Sequence, residues 1–114
     1  MAGVNLEPAD ANAELATAAI NSSSGTVTLV AASTGMIIRC YKIFFTVAGA
    51  SNITFNDGTT ALSGAVDLTA AGSAFTLTMD GQPWFQTSKG NALTITNSGS
   101  VSVQGQVYYT QRNY

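Results

Sequence analysis

Apolar and polar residues alternate along this chain in short runs broken by turn residues. The longest such run, residues 36–47, reads Met-Ile-Ile-Arg-Cys-Tyr-Lys-Ile-Phe-Phe-Thr-Val and contains neither Gly nor Pro. Its β-branched and aromatic content predicts a central strand, not a helix. The alternation slips inside it: Ile38 and Cys40 share one face, and Ile43, Phe45 and Val47 the other. One extra residue near Tyr41, a β-bulge, would return all five to one face and turn Arg39, Tyr41 and Lys42 outward.

The flanking segments read as shorter strands. Residues 15–21 predict an edge strand, Ser22 to Gly25 a turn, and residues 26–32 a partner completing a hairpin, with Val27, Leu29 and Ala31 on one face. Residues 52–56 return with Ile53 and Phe55 inward and close on Asn56-Asp57-Gly58, a strong turn signal. After a weak strand at 65–69, residues 73–79 alternate cleanly, with Phe75, Leu77 and Met79 opposite Ala74, Thr76 and Thr78. A short strand at 84–87 follows, then one with Leu93 and Ile95 inward. In the last, at 101–109, Val101, Val103, Val107 and Tyr109 line one side and Gly105 leaves room for a bulky neighbour. Residues 110–114 read as a polar tail. About eight strands with turns between them predict an all-β fold, a two-sheet antiparallel β-sandwich, with the jelly roll among the orders that fit.

Composition narrows the picture. The 114 residues suit one domain, and only 9% of them are charged, against about 25% in an average soluble protein. Ser, Thr, Asn, Gln and Gly fill the polar positions, so much of the surface is expected to be covered by neighbours in a homo-oligomer, the alternative being a secreted Ser/Thr-rich β-domain that tolerates low charge as a monomer. Arg39, Lys42, Lys89 and Arg112 form no run and the net charge is −2, which argues against nucleic acid as a partner. No segment approaches the roughly 20 apolar residues of a membrane span, and the first residues do not read as a signal peptide, so synthesis in the cytoplasm is expected.

Chemistry is sparse. There is no His, which removes Ser-His-Asp and Cys-His nucleophiles, and the lone Cys40 reads as a small buried hydrophobe. Asp57 and Asp80 sit in turn sequences and Asp67 stands alone, so no paired carboxylates suggest acid/base work. Neither catalytic residues nor a metal or cofactor site is expected.

Two features remain as candidate contact sites. Residues 1–14 read as an arm ahead of a domain at 15–114; they hold Glu7, Asp10 and Glu14, and Val4, Leu6 and Leu15 are candidate docking points on a neighbouring subunit. In the pairs Trp84/Phe85 and Tyr108/Tyr109, alternation sends one member of each to the core. Trp84 and Tyr108 are the candidates for an exposed aromatic face able to stack on sugar rings.

From about Ala18 to Tyr109 the chain resembles small β-domain structural proteins of tailed phages, of the head decoration or cement kind. The resemblance rests on Ala19-Ile20-Asn21, Ser24-Gly25, Val30-Ala31-Ala32, Gly35 with Ile38-Arg39, Val47-Ala48-Gly49-Ala50, Thr54-Phe55 before Gly58, Leu62-Ser63-Gly64 and Val103-x-Gly105-x-Val107-x-Tyr109. Its most specific part is Trp84-Phe85-x-Thr87-x-x-Gly90-x-Ala92-Leu93. It implies a virion component without enzymatic activity, the major capsid protein as partner, and a decoration role on the outside of the head. For such a decoration protein a trimer is the expected oligomer; the alternatives are a tail or fibre module that binds a host glycan or receptor and, third, a generic soluble β-domain.

Overall fold

The computed structural model describes residues 15–79 and 81–114. Val4, Leu6 and the rest of the expected arm lie outside the described residues, as does Asp80. Ten strands are described: β1 (Ala16–Ser22), β2 (Gly25–Val30), β3 (Ile37–Val47), β4 (Ser51–Asp57), β5 (Thr60–Ala61), β6 (Val66–Leu68), β7 (Ala74–Leu77), β8 (Phe85–Gln86), β9 (Leu93–Asn97) and β10 (Val103–Arg112). They form two antiparallel sheets. The front sheet has the order β1-β10-β3-β7, with β8 also on β3; the back sheet has the order β2-β9-β4-β5, with β6 also on β4.

The pairing is that of one long hairpin rolled up. β4 meets β5 and β6, β3 meets β7 and β8, β2 meets β9, and β1 meets β10, with successive pairs falling in opposite sheets. β10 then joins β3 and β9 joins β4, which completes both sheets and gives jelly-roll connectivity. Counting β5 with β6 and β7 with β8 as interrupted strands leaves the eight positions that the turn spacing suggested.

The central strand carries its bulge where the slipped alternation requires one. Lys42 pairs with Tyr108 and Cys40 with Tyr109, so Tyr41 is the extra residue. Ile38, Cys40, Ile43, Phe45 and Val47 are accordingly all buried. Tyr41 itself departs from the expectation: it is fully buried, not turned out to solvent. It sits where β7, ending at Leu77 opposite Ile43, gives way to β8, starting at Phe85 opposite Cys40, so chain leaves and rejoins β3 on either side of it.

Between the sheets, Phe55 of β4 stacks on Phe85 at 4.7 Å between ring centroids and meets Phe45 and Phe75 at 6.2 and 6.1 Å. One back-sheet ring thus holds three front-sheet rings. Ile20, Val103 and Val107 from the front sheet and Leu29, Val30, Ile53, Leu93 and Ile95 from the back complete the core. A second tie is polar. Buried Asn97 accepts from the Ser51 hydroxyl (2.5 Å) and the Gly99 N–H (3.2 Å), and donates to the Ser22 hydroxyl (3.2 Å) and the Val101 carbonyl (2.9 Å). This joins β9 to β4, to β1 in the other sheet and to the loop before β10.

Four further expectations are corrected. β1 and β2 do not form a hairpin: each has one apolar face, and the two strands cover the same core from opposite sheets. Ala31 is exposed, because a register shift at Leu29 turns Leu29 and Val30 both inward and ends the strand there. Met79 is 41% exposed, lying past the end of β7. Residues 110–112 are not a polar tail but continue β10 beyond the bulge, paired with Arg39, Ile38 and Ile37.

Gly105 lies opposite Phe45, and a Cβ there would come within 1.9 Å of the Phe44 carbonyl oxygen and 2.5 Å of the Phe45 Cα. Gly105→Ala should therefore force β10 from β3 and lower stability by about 3 kcal/mol or more. Urea unfolding of the variant checks this, and a loss under about 1 kcal/mol would mean the strands can part without cost.

Candidate interaction surface

The segment that carries the most specific part of the resemblance leads the chain from the front sheet to the back. The Trp84 N–H donates to the Cys40 carbonyl (2.8 Å) and its indole N–H to the Thr78 carbonyl (2.7 Å). Phe85 turns inward onto Phe55. Buried Thr87 bonds Ile38 twice: its N–H donates to the Ile38 carbonyl (2.9 Å), and its hydroxyl accepts from the Ile38 N–H (3.0 Å). Gly90, at φ +83°, donates to the Met36 carbonyl (2.8 Å), and the Ala92 carbonyl accepts from Gly58 (2.8 Å) before Leu93 enters the core. Every defined position of this motif has a structural task.

Alternation in β8 and β10 sorts the aromatic pairs as expected, since Phe85 and Tyr109 pack against the core. Trp84 is 41% exposed and Tyr108 half-buried, both on the outer face of the front sheet. The structure does not bring their rings together, because β3 runs between them. Tyr108 instead has Lys42 Nζ over its ring at 5.0 Å and Phe44 at 6.5 Å. Further along the same face, the Arg39 guanidinium lies 3.6 Å from the Tyr114 ring centroid and donates to the Gln86 side chain at 3.0 Å, while the Tyr114 hydroxyl bonds the buried Thr110. Such cation–π contacts contribute about 0.5–1 kcal/mol each at exposed sites. Phe44 and Tyr114 escaped the sequence reading. Phe44 was detectable as the outward neighbour of inward Phe45, whereas Tyr114 lies past the end of β10 and joins the face through its contacts with Arg39 and Thr110. Leu15, the one described member of the expected docking points, is half-buried immediately before β1.

Charge is divided between the sheets. The front-sheet strands hold Arg39, Lys42 and Arg112 and no acidic residue. The back-sheet strands hold Asp57 and Asp67 and no basic residue. On the outer face of the back sheet, Thr26, Thr96 and Thr54 align across three strands, as do Thr28, Thr94 and Asn56. These side chains satisfy one another: Thr26 bonds Thr96 at 2.9 Å, and the Asn56 amide donates to Thr94 and Thr96 at 3.2 and 3.1 Å.

Titratable groups offer little chemistry. Burial pushes the Cys40 thiol up to about 12, and hydrogen bonding with the backbone of Lys42 and Tyr108 only partly offsets it. Asp57 is buried, which opposes its ionisation. Hydrogen bonds to Oδ2 from the Ser88 hydroxyl (2.8 Å) and N–H (3.0 Å), with help from the Asn91 amide, outweigh that and hold the carboxyl below its ordinary value. Its Oδ1 is buried without a hydrogen-bond partner among the described residues. Among the described residues no three His, Cys, Asp or Glu side chains cluster as metal ligands would. A shallow groove of about 380 Å³, lined by Thr46, Val47, Ala48, Gly72, Ser102 and Gln104, carries no titratable side chain. No family model matches the chain, and no curated protein matches it by sequence.

Two outcomes follow. Cys40 should resist thiol reagents in the folded protein and react only as fast as the chain unfolds, which labelling kinetics across a urea series would show; fast labelling of the native state would contradict its burial. Asp57, with its carboxyl held low in the fold, adds stability above its ordinary value of 3.8, and this is lost as pH falls through the lower folded value. Asp57→Asn should thus flatten the pH dependence of stability below about pH 4, measured by thermal melts from pH 2 to 6.

Proposed function

We propose that the protein is a non-enzymatic structural component of a tailed-phage particle, a decoration protein that binds the outer surface of the head, contacts the major capsid protein and stabilises the shell. The observation that carries this reading is the character of the two outer faces. Between them the faces present mainly Thr, Asn, Gln and Ala, and the strands hold few charges: Arg39, Lys42 and Arg112 in the front sheet, Asp57 and Asp67 in the back. Covering such a face removes hydroxyls and amides from water, and a partner can replace those bonds at modest cost. Desolvating charges costs several kcal/mol per ion. Sparse charge also weakens the repulsion that keeps copies apart, which supports a homo-oligomer, and the resemblance to decoration proteins favours a trimer.

A second reading has its own support. Trp84 and Tyr108 lie on one outer face with Phe44 and Lys42 nearby, an arrangement that suits stacking on a sugar in a tail or fibre module.

Added to phage heads stripped of it, the protein should bind at a fixed ratio to the major capsid protein and raise the temperature at which the heads break open. Light scattering should report an oligomer in solution. A monomer at micromolar concentration that adds no mass to heads would overturn the decoration reading. Glycan binding lost in a Trp84→Ala and Tyr108→Ala double variant would then favour the second.

A further inference from the structure

We propose that the groove at the end of β3 is a binding site for an uncharged oligosaccharide, one sugar unit being held by Thr46, Ser102 and Gln104 and the next laid on Phe44. The site rests on the glycan reading above for its class of ligand, but the place is new and Trp84 has no part in it.

Shape is the first support. β3 ends at Val47, between β7 on one side and β10 on the other. The chain entering each neighbour is tied to that end: the Val47 N–H donates to the Ser73 carbonyl (3.0 Å), the Gly72 N–H to the Val47 carbonyl (2.7 Å) and the Ala48 N–H to the Ser102 carbonyl (2.8 Å). Gly72 and Ser102 are thereby fixed on opposite sides of a groove of about 380 Å³. That volume falls within the range of about 300–1,000 Å³ in which ligand sites lie. A Cβ at Gly72, where φ is +82°, would meet no atom within 4 Å, so the space beside it is open. With backbone bonds holding both sides, a ligand entering it orders little of the protein.

The second support is uncommitted hydrogen bonding. Thr46 and Gln104 are an exposed cross-strand pair, and exposed Ser102 lies one outward step before Gln104. Among the described residues the two hydroxyls and the amide have no hydrogen-bond partner, whereas Thr26, Thr94, Thr96 and Asn56 on the back sheet bond one another. Each of these groups can donate and accept, as each hydroxyl of a sugar can. No charge competes there. The groove has no titratable side chain, and Lys42 lies four residues back along β3, about 13 Å away. A phosphate or an acidic sugar would require a cation at this point. A peptide strand would require a sheet edge, and the groove lies between β10 and β7, inside the face. Phe44 is the next outward residue on β3, about 7 Å from Thr46, with the Tyr108 ring at 6.5 Å from its own. It is 39% exposed and offers an apolar surface for the C–H side of a sugar ring.

The test follows the amide NMR signals of the isotope-labelled full chain during titration with maltotriose, cellotriose and triacetylchitotriose. At least one sugar should shift Ala48, Ser102 and Gln104 saturably, with a Kd of about 1 mM, as befits a shallow site with few anchors. Thr46→Ala and Gln104→Ala together should weaken that sugar about tenfold with the melting temperature unchanged, and Phe44→Ala should weaken it about fivefold. Trp84→Ala should alter it by less than about twofold. Shifts confined to Trp84 and Tyr108 and lost in Trp84→Ala would overturn this site alone, leaving the glycan reading in place. No saturable shift anywhere would overturn both. Sialyllactose binding about tenfold tighter than lactose would also overturn the site, since cations and not the neutral groove would then hold the ligand.

Discussion

The front sheet depends on the pairing of β3 with β10. These are its two longest strands, and their contact at Gly105 leaves no space for a side chain. The close approach pins the register, and the register requires the extra residue at Tyr41. From that bulge follow the burial of all five apolar side chains of β3 and the outward placement of Arg39, Lys42 and Phe44. A one-residue slip would exchange these sets, so the same backbone contact that secures the core also composes the outer face.

Across the core, two unlike contacts hold the back sheet to this frame. Phe55 brings dispersion and buried area against Phe45, Phe75 and Phe85; losing a core ring of this size typically costs about 3–5 kcal/mol. Asn97 works by direction instead. Both ends of its amide are satisfied by groups from different strands, so it tolerates only the arrangement that brings Ser22, Ser51 and Val101 together. The ring cluster rewards packing in general, and the amide selects one packing.

What is left for the surface is shape, hydrogen bonding and a division of charge. The glycine-punctuated motif from Trp84 to Leu93 is consumed in tying β8 and β9 to their neighbours, and Cys40 and Asp57 are occupied with burial and turn bonding. Recognition by this domain must therefore use its faces and edges. The faces are not equivalent, because the cations lie on one sheet and the carboxylates of the described strands on the other.

Strand positions, turn positions and most of the inward residues could be read from the sequence, because alternation and turn chemistry are local properties of a few adjacent residues. Even the bulge at Tyr41 was legible, since it corrects a phase error within one strand. Which strand pairs with which was not: the apparent hairpin of β1 and β2 turned out to be two edges of different sheets, a choice made by partners 63 to 93 residues away. Tyr41 and Thr110 are buried, and Ala31 and Met79 exposed, for the same reason. Their local pattern states which way a side chain points, but only the assembled sheets decide where a strand ends and what lies over it. The separation of charge between the faces is likewise a product of pairing, for Arg39 and Arg112 are brought to one patch by strands that the sequence holds far apart.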